Sequence, residues 1–354
     1  MKSKVKGLII LAVIIVAGLV YYFGFARKPE TITLTGYLGG EKTGLFEDEE
    51  VTSILADRYH LQIDYQKAGS LDMISADQEG KDYLFPSSQV ALELYRSKYG
   101  TPVKSEIIFN TPIVIYTHKE VSDALDQQGL ITDLGNGAKG IDMKKFATMI
   151  SNGTKWSDIG LDDLYGTITV STTDPVRSNS GNMFAGLLAD VLTDEGVADE
   201  NNIEEVLPQL KAIFEKSGYM ESSSSDLFNQ FLRTGVGAKP IMAGYESQIL
   251  EFAVENPDDW EQLKDDIVIL YPVPTVWASH PYIALTDNGA KAIDALLDED
   301  IQTIAWEKHG FRTGVADASA DTSVFQVDGL QNVVKKVVSM PDADTMQKII
   351  DELS

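Results

Sequence analysis

Short β-branched and aromatic runs alternate with longer helical stretches from Thr31 onward, and this alternation limits the fold more than any other feature. Candidate strands are 31–38, 60–68, 81–85, 106–117, 166–172, 239–243, 266–272 and 281–286, most of them bounded by turn residues. Candidate helices lie between and after them, at 47–58, 88–98, 119–128, 141–150, 180–194, 202–216, 224–234, 246–256 and 287–308. In the last, Ile293, Leu296, Leu297, Ile301, Ile304 and Ala305 recur at helical spacing, and Gly310 supplies a stop. Strands alternating with helices predict an α/β fold with mainly parallel sheets.

Two places break the alternation. Residues 104–118 form one long extended run interrupted by Thr111-Pro112, and residues 265–286 form another interrupted by Pro272, Pro274 and Pro281. Such a pair suits a two-lobed protein whose backbone crosses between lobes twice. Lobe I is then discontinuous, residues 29–112 plus 272–354, and lobe II is residues 113–271. Two ordinary consecutive domains are the alternative. The segment 314–329 reads as a polar linker. The amphipathic stretch from Leu330 to Leu353 reads as two short helices packed back on lobe I.

Residues 1–28 stand apart. Lys2, Lys4 and Lys6 precede a charge-free run from Gly7 to Ala26 that ends in Tyr21, Tyr22 and Phe23. A run of about 20 apolar residues at ~1.5 Å each spans the ~30 Å hydrocarbon core. The flanking charges keep the N-terminus in the cytoplasm. The segment reads as a transmembrane signal anchor, with a cleaved signal peptide as the alternative. Either reading puts the body outside the cytoplasm, tethered to the cell membrane or secreted.

Composition removes several function classes. The 354 residues carry 29 Lys+Arg against 54 Asp+Glu. Segment 1–28 holds five of the bases and no acid, so the body has 24 basic and 54 acidic side chains, a net charge of −30. That surface repels nucleic acid. With no Cys there is no thiolate nucleophile, no thiolate-bound metal and no lipidated cysteine. The four His stand at no metal-ligand spacing, and neither a cofactor nor a metal is expected. Gly40-Glu41-Lys42-Thr43 is no phosphate-binding P-loop, because Glu41 separates the lysine from the glycine. Without a nucleophile–base pair, an enzyme is not expected.

In open α/β sheets ligands bind beyond the carboxyl ends of strands. The loops there are small and polar: Gly39 to Gly44, Gly69-Ser70, Pro86-Ser87-Ser88, Thr173 to Asn182, and Gly244 to Ser247. Helix starts expose N–H donors and a partial positive charge. Glycine permits close backbone approach, and Arg177 can grip an oxyanion with two donors. The candidate ligand-binding residues are Gly40, Glu41, Lys42, Gly69, Ser70, Ser87, Ser88, Thr111, Asp174, Arg177, Ser178, Asn179, Ser180, Gly181, Tyr245 and Trp277. The last two are aromatic walls for a ligand or else core. The run Ser222 to Ser225 reads simply as a helix start.

The chain resembles the extracellular solute-binding proteins with the type 2 periplasmic-binding fold, the two-lobed receptors of ABC importers. The resemblance rests on Gly39-Gly40-Glu41-Lys42 with Leu45-Phe46-Glu47-Asp48, Lys67-Ala68-Gly69-Ser70, and Tyr83 to Ser88. Asn110-Thr111-Pro112-Ile113-Val114, the 174–181 loop and Trp306 to Arg312 add to it. It implies a small polar solute, anionic by the helix starts and Arg177, held between lobes that close about a hinge. It also implies transport without catalysis, with an ABC permease as the membrane partner. A non-transport adaptor in an envelope complex is the alternative.

Overall fold

One strand organises the molecule. In the computed structural model, which describes residues 12–17, 30–193, 196–314 and 320–354, β4 (Lys104–His118) runs 15 residues without a break. Its first part, Lys104 to Pro112, pairs antiparallel with β9 (Trp277–Ala284). Its last part pairs antiparallel with β7 (Ile241–Tyr245) and β8 (Ile267–Val273). On the β9 side lie β1 (Ile32–Leu38), parallel to both β2 (Leu61–Lys67) and β3 (Tyr83–Phe85), with β3 closing antiparallel on β9. On the β8 side lie β6 (Ala138–Asp142), parallel to β8, and its hairpin partner β5 (Ile131–Gly135). A two-residue β10 (Arg312–Thr313) adds to β4. The path β2-β1-β3-β9-β4-β8-β6-β5 therefore joins two half-sheets through β4.

Burial explains the near-continuous apolar sequence of β4. Ile108 and Phe109 enter a core with Leu34, Phe85, Tyr282 and Leu296. Beyond Pro112, Ile113 and Ile115 face Phe146, Phe184 and Leu270, while Val114 and Tyr116 face Phe228, Ile249 and Tyr271. Side chains alternate across a strand, so a strand covered on both faces reads as an unbroken apolar run. The chain crosses between half-sheets a second time between β8 and β9, where Ile113 N–H donates to the Val276 carbonyl at 3.2 Å.

Several expectations need correction. The run 166–172 is no strand: it touches neighbours only at isolated bridges such as Ser171–Met242, and its apolar residues Ile168 and Val170 are buried as irregular chain. The 287–308 helix is two, Asp287–Leu296 and Glu299–Glu307, because the Asp298 carboxylate caps a fresh start at the Asp300 N–H. The C-terminal stretch is not two helices on the first half. Residues 325–334 are non-helical, and Phe325, Val327, Leu330 and Val334 pack into the core around Trp260 and Tyr271. Only Ala343–Leu353 is helical there, and its Met346 and Ile349 join the core of the β8 side. Arg312 fixes this tail. It grips the buried Glu246 carboxylate at 2.7 and 2.9 Å and donates to the Gln331 and Asn332 carbonyls.

Residues 12–17 are helical with exposed side chains. No helix among the described residues is long and apolar enough to cross a membrane. The remainder of the expected 7–26 span lies outside the described residues.

Candidate functional site

The carboxyl ends of β1, β2 and β3 face the start of helix α1 (Asn179–Leu192) and of helix α2 (Ser224–Thr234) across a cavity of about 420 Å³. Gly39, Gly40 and Glu41 line it from the loop after β1, and Lys67, Gly69, Ser70 and Asp72 from the end of β2. Opposite stand Arg177, Ser178 and Asn179 at the head of α1, Ser222, Ser223 and Ser224 at the head of α2, and Tyr245 closing β7. Two helix N-termini from one half thus point at small-residue loops of the other. First-turn N–H groups lack intrahelical partners; Thr173 takes the Gly181 N–H and Ser223 the Asp226 N–H, and the rest make this wall a donor surface. The lining also carries charge of both signs, Arg177 and Lys67 against Glu41 and Asp72.

Glu41 is set by what lies beneath it. Lys42 has no exposed surface, and its ammonium donates to Glu41 Oε1 at 2.5 Å and to Ser87 Oγ at 2.6 Å. It also lies 3.3 Å from His280 Nδ1. The Ser87 hydroxyl donates in turn to Glu41. Burial pushes the Glu41 carboxyl up, but the Lys42 ammonium and the hydrogen bonds from Lys42 and Ser87 outweigh it and bring it down to about 2. Burial, and secondarily the Lys42 ammonium, hold His280 well below its ordinary value, so its ring is neutral and accepts. The cavity floor is therefore a fixed carboxylate on a cationic base. A serine hydroxyl beside a lysine superficially suggests a nucleophile and its base. Here the lysine donates, and Ser87 is fully buried, so the pair is structural.

The two halves touch at the rim. Asn179 Nδ2 donates to the Ser87 carbonyl at 2.8 Å and to the Tyr245 hydroxyl at 3.0 Å. A Cβ on Gly69 would stand 2.6 Å from the Arg177 carbonyl oxygen, so only glycine permits this approach. Asn179 Oδ1 is buried without a partner.

Half of the candidate residues line this cavity: Gly40, Glu41, Gly69, Ser70, Arg177, Ser178, Asn179 and Tyr245. Lys42 and Ser87 form the layer beneath. Ser88 caps the helix Gln89–Tyr99 through the Val90 N–H. Asp174 accepts from the Val176 N–H within its own turn. Ser180 bonds to Thr173, and Gly181 lets α1 press on the Thr173 carbonyl, where a Cβ would stand 2.1 Å away. Thr111 accepts from the Ser247 N–H at the crossover. Trp277 lies elsewhere, in a second cavity of about 550 Å³ with Met183 and Met340. Sequence reasoning missed Ser222, Ser223 and Ser224 as lining residues. The serine run was visible, yet nothing local showed that this helix head faces the cleft.

No protein-family model matches the chain, and none of the curated proteins matches it. Solved structures do. Iron-bound HitA from Pseudomonas aeruginosa superposes with a TM-score of 0.57 at 13% identity, covering 91% of this chain and 99% of that one. The periplasmic binding protein AfuA from Actinobacillus pleuropneumoniae, with fructose-6-phosphate bound, gives 0.55 at 14%, covering 90% and 97%. The sulfate-binding protein SubI from Mycobacterium tuberculosis gives 0.52 at 16%, covering 90% and 96%. The class is thus set by shape: the chain has the type 2 periplasmic-binding-protein fold, shared with substrate-binding proteins of ABC transporters.

Proposed function

We propose that this chain is an extracytoplasmic solute-binding protein. It closes the half built on β1, β2, β3 and β9 and the half built on β5 to β8, which also carries the C-terminal tail, on a small polar solute and presents it to a membrane partner such as an ABC permease. The N-terminal apolar run tethers it to the membrane. The observation that carries the reading is the polar cavity between the half-sheets, with Arg177 and two helix heads on one wall and Glu41 on the other. The structural relatives named above are recorded with iron, with a sugar phosphate and as a sulfate binder, so the fold accommodates small polar cargo.

The solute is anionic at one end. Arg177 and the heads of α1 and α2 favour negative charge, whereas Glu41 and Asp72 repel it and accept from hydroxyl or amine groups. A cavity of about 420 Å³ exceeds a bare tetrahedral oxyanion several-fold. An anionic group on a hydroxylated or aminated body fits both walls. Binding energy that favours the closed form shifts the population toward it.

The test is a melting-temperature screen of the purified protein against oxyanions, carboxylates, amino acids, neutral sugars and sugar phosphates. A rise with an anionic compound, weakened about 10- to 100-fold in R177A, supports the reading, since hydrogen bonds to charged groups contribute about 1.5–3 kcal/mol. A rise with neutral sugars alone removes the anionic solute. Silence across the panel favours an adaptor role.

A further inference from the structure

We propose that Glu251, Glu255 and His309 form a binding site for a divalent transition-metal ion of the Zn²⁺ or Mn²⁺ class, outside the solute cavity and independent of the solute reading. One ligating atom from each residue lies within 4.8 Å of the others. Glu251 and Glu255 stand one turn apart on helix α3 (Glu246–Glu255), which places both carboxylates on one face. His309 follows the helix Glu299–Glu307 and is 3% exposed. The first two residues belong to the β7 side of the molecule and the third to the β1 side, so the ion would sit on the seam.

The histidine points to the ligand. Its Nδ1 lies 2.7 Å from Glu251 Oε1, and its Nε2 lies 3.7 Å from Asp48 Oδ2 with no hydrogen-bond partner. In a neutral ring only one nitrogen carries hydrogen. If Nδ1–H serves Glu251, the Nε2 lone pair is buried facing a carboxylate, an arrangement with nothing to hold it. A metal ion on Nδ1 resolves this. The proton then sits on Nε2 and is aimed at Asp48, the pattern in which a ligating histidine donates its second N–H to a carboxylate. Asp48 itself is already engaged by Lys308 at 2.9 Å and caps the helix Glu49–Tyr59, so it orients the ring and need not ligate.

Space and charge agree. A Cβ on Gly44 would stand 2.2 Å from Glu251 Oε1 and 3.3 Å from His309 Nδ1, so the glycine leaves the cradle open. Glu251 and Glu255 also line a cavity of about 180 Å³, which gives an ion and its waters access. Two carboxylates and an imidazole suit zinc or manganese, with bonds of about 2.0–2.2 Å for zinc. The three atoms, within 4.8 Å of one another, must draw slightly closer to share one ion, and Glu255 is the exposed member of the set. The sequence could not show this site, because His309 meets the α3 carboxylates only through the fold.

The test uses full-length protein stripped with a chelator and titrated calorimetrically with ZnCl₂ and, separately, with MnCl₂. One saturable site per chain is expected, weakened at least 10-fold by E255Q and by H309N. Zinc should raise the melting temperature of the parent and not of E255Q, each read against its own metal-free melt. R177A, in the solute cavity, should bind zinc normally. The hydrogen bond between His309 Nδ1 and Glu251 accounts for the geometry without a metal. Absence of saturable uptake, or uptake that survives both E255Q and H309N, selects that account and overturns the proposal.

Discussion

Asn179 and Ser87 are 92 positions apart in sequence, yet the Asn179 side-chain amide donates to the Ser87 backbone carbonyl at 2.8 Å. This bond joins the head of α1 to the loop after β3, one half of the molecule to the other, immediately behind the cavity. The same amide holds the Tyr245 hydroxyl. N179A leaves the buried Ser87 carbonyl and Tyr245 hydroxyl each short of a donor. We expect a loss of about 1–2 kcal/mol in urea unfolding. An unchanged midpoint and slope would show that water replaces the amide at no cost.

The glycine at position 69 sets how near the halves come. A methyl there meets the Arg177 carbonyl at 2.6 Å and Asp72 Oδ2 at 3.1 Å. G69A should hold the halves apart, raise the radius of gyration in solution scattering under solute, and weaken solute binding about 10-fold. If G69A closes as fully as the parent, the contact does not govern closure.

Acid should unfasten the cavity floor. The Glu41 carboxyl sits near 2 in the folded chain, against 4.5 when unfolded. A depressed carboxyl contributes stability above its unfolded value and loses it as pH falls toward the folded one. The window is therefore pH 4.5 down to 2. There the parent should lose up to about 1.4 kcal/mol per pH unit through this group, and E41Q should show a shallower dependence. Urea titrations at pH 5, 4 and 3 measure it, and equal slopes for the two proteins would contradict it.

Arg312 supports the tail through Glu246. R312M strands a carboxylate that has no exposed surface, beside a Tyr271 hydroxyl that donates to it. Removing one partner of a buried pair costs about 3–5 kcal/mol. The double variant E246Q/R312M should recover much of that. Limited proteolysis should cut R312M faster within 320–340, where the Gln331 and Asn332 carbonyls lose their donor. Equal cleavage of parent and variant would mean that apolar packing alone secures the tail.

The sequence was most legible where hydrophobic pattern and burial coincide. The extended run 104–118 and its partner 265–286 appear as β4, β8 and β9, because strands covered on both faces carry an unmistakable apolar stretch. The β5–β6 hairpin was overlooked although Asn136-Gly137 marks it. Both residues take positive φ, 53° and 80°, as tight hairpin turns demand, but the largely exposed β5 and the short β6, Ala-Lys-Gly-Ile-Asp, lack an apolar signature. Within the cavity, Glu41, Ser70 and Arg177 were recognisable from loops at strand ends. The serines at 222–224 were not, since a capping serine and a lining serine look alike until the helix is placed. Trp277 was ambiguous for the opposite reason: a large aromatic near a crossover can turn to either side of the sheet, and it lines the other cavity.

The continuity of β4 has a mechanical meaning. Its residues through Pro112 are bonded to one jaw and those from Ile113 to the other, so the jaws share a leaf spring and not a pin. The proline ring freezes one torsion at the flexing point. Swing is left to a few neighbouring torsions of Thr111 and Ile113 and to the strand laid alongside. On the closure proposed above, the stiffness of that short span, as much as any contact in the mouth, would set how widely the jaws gape and how readily they spring shut.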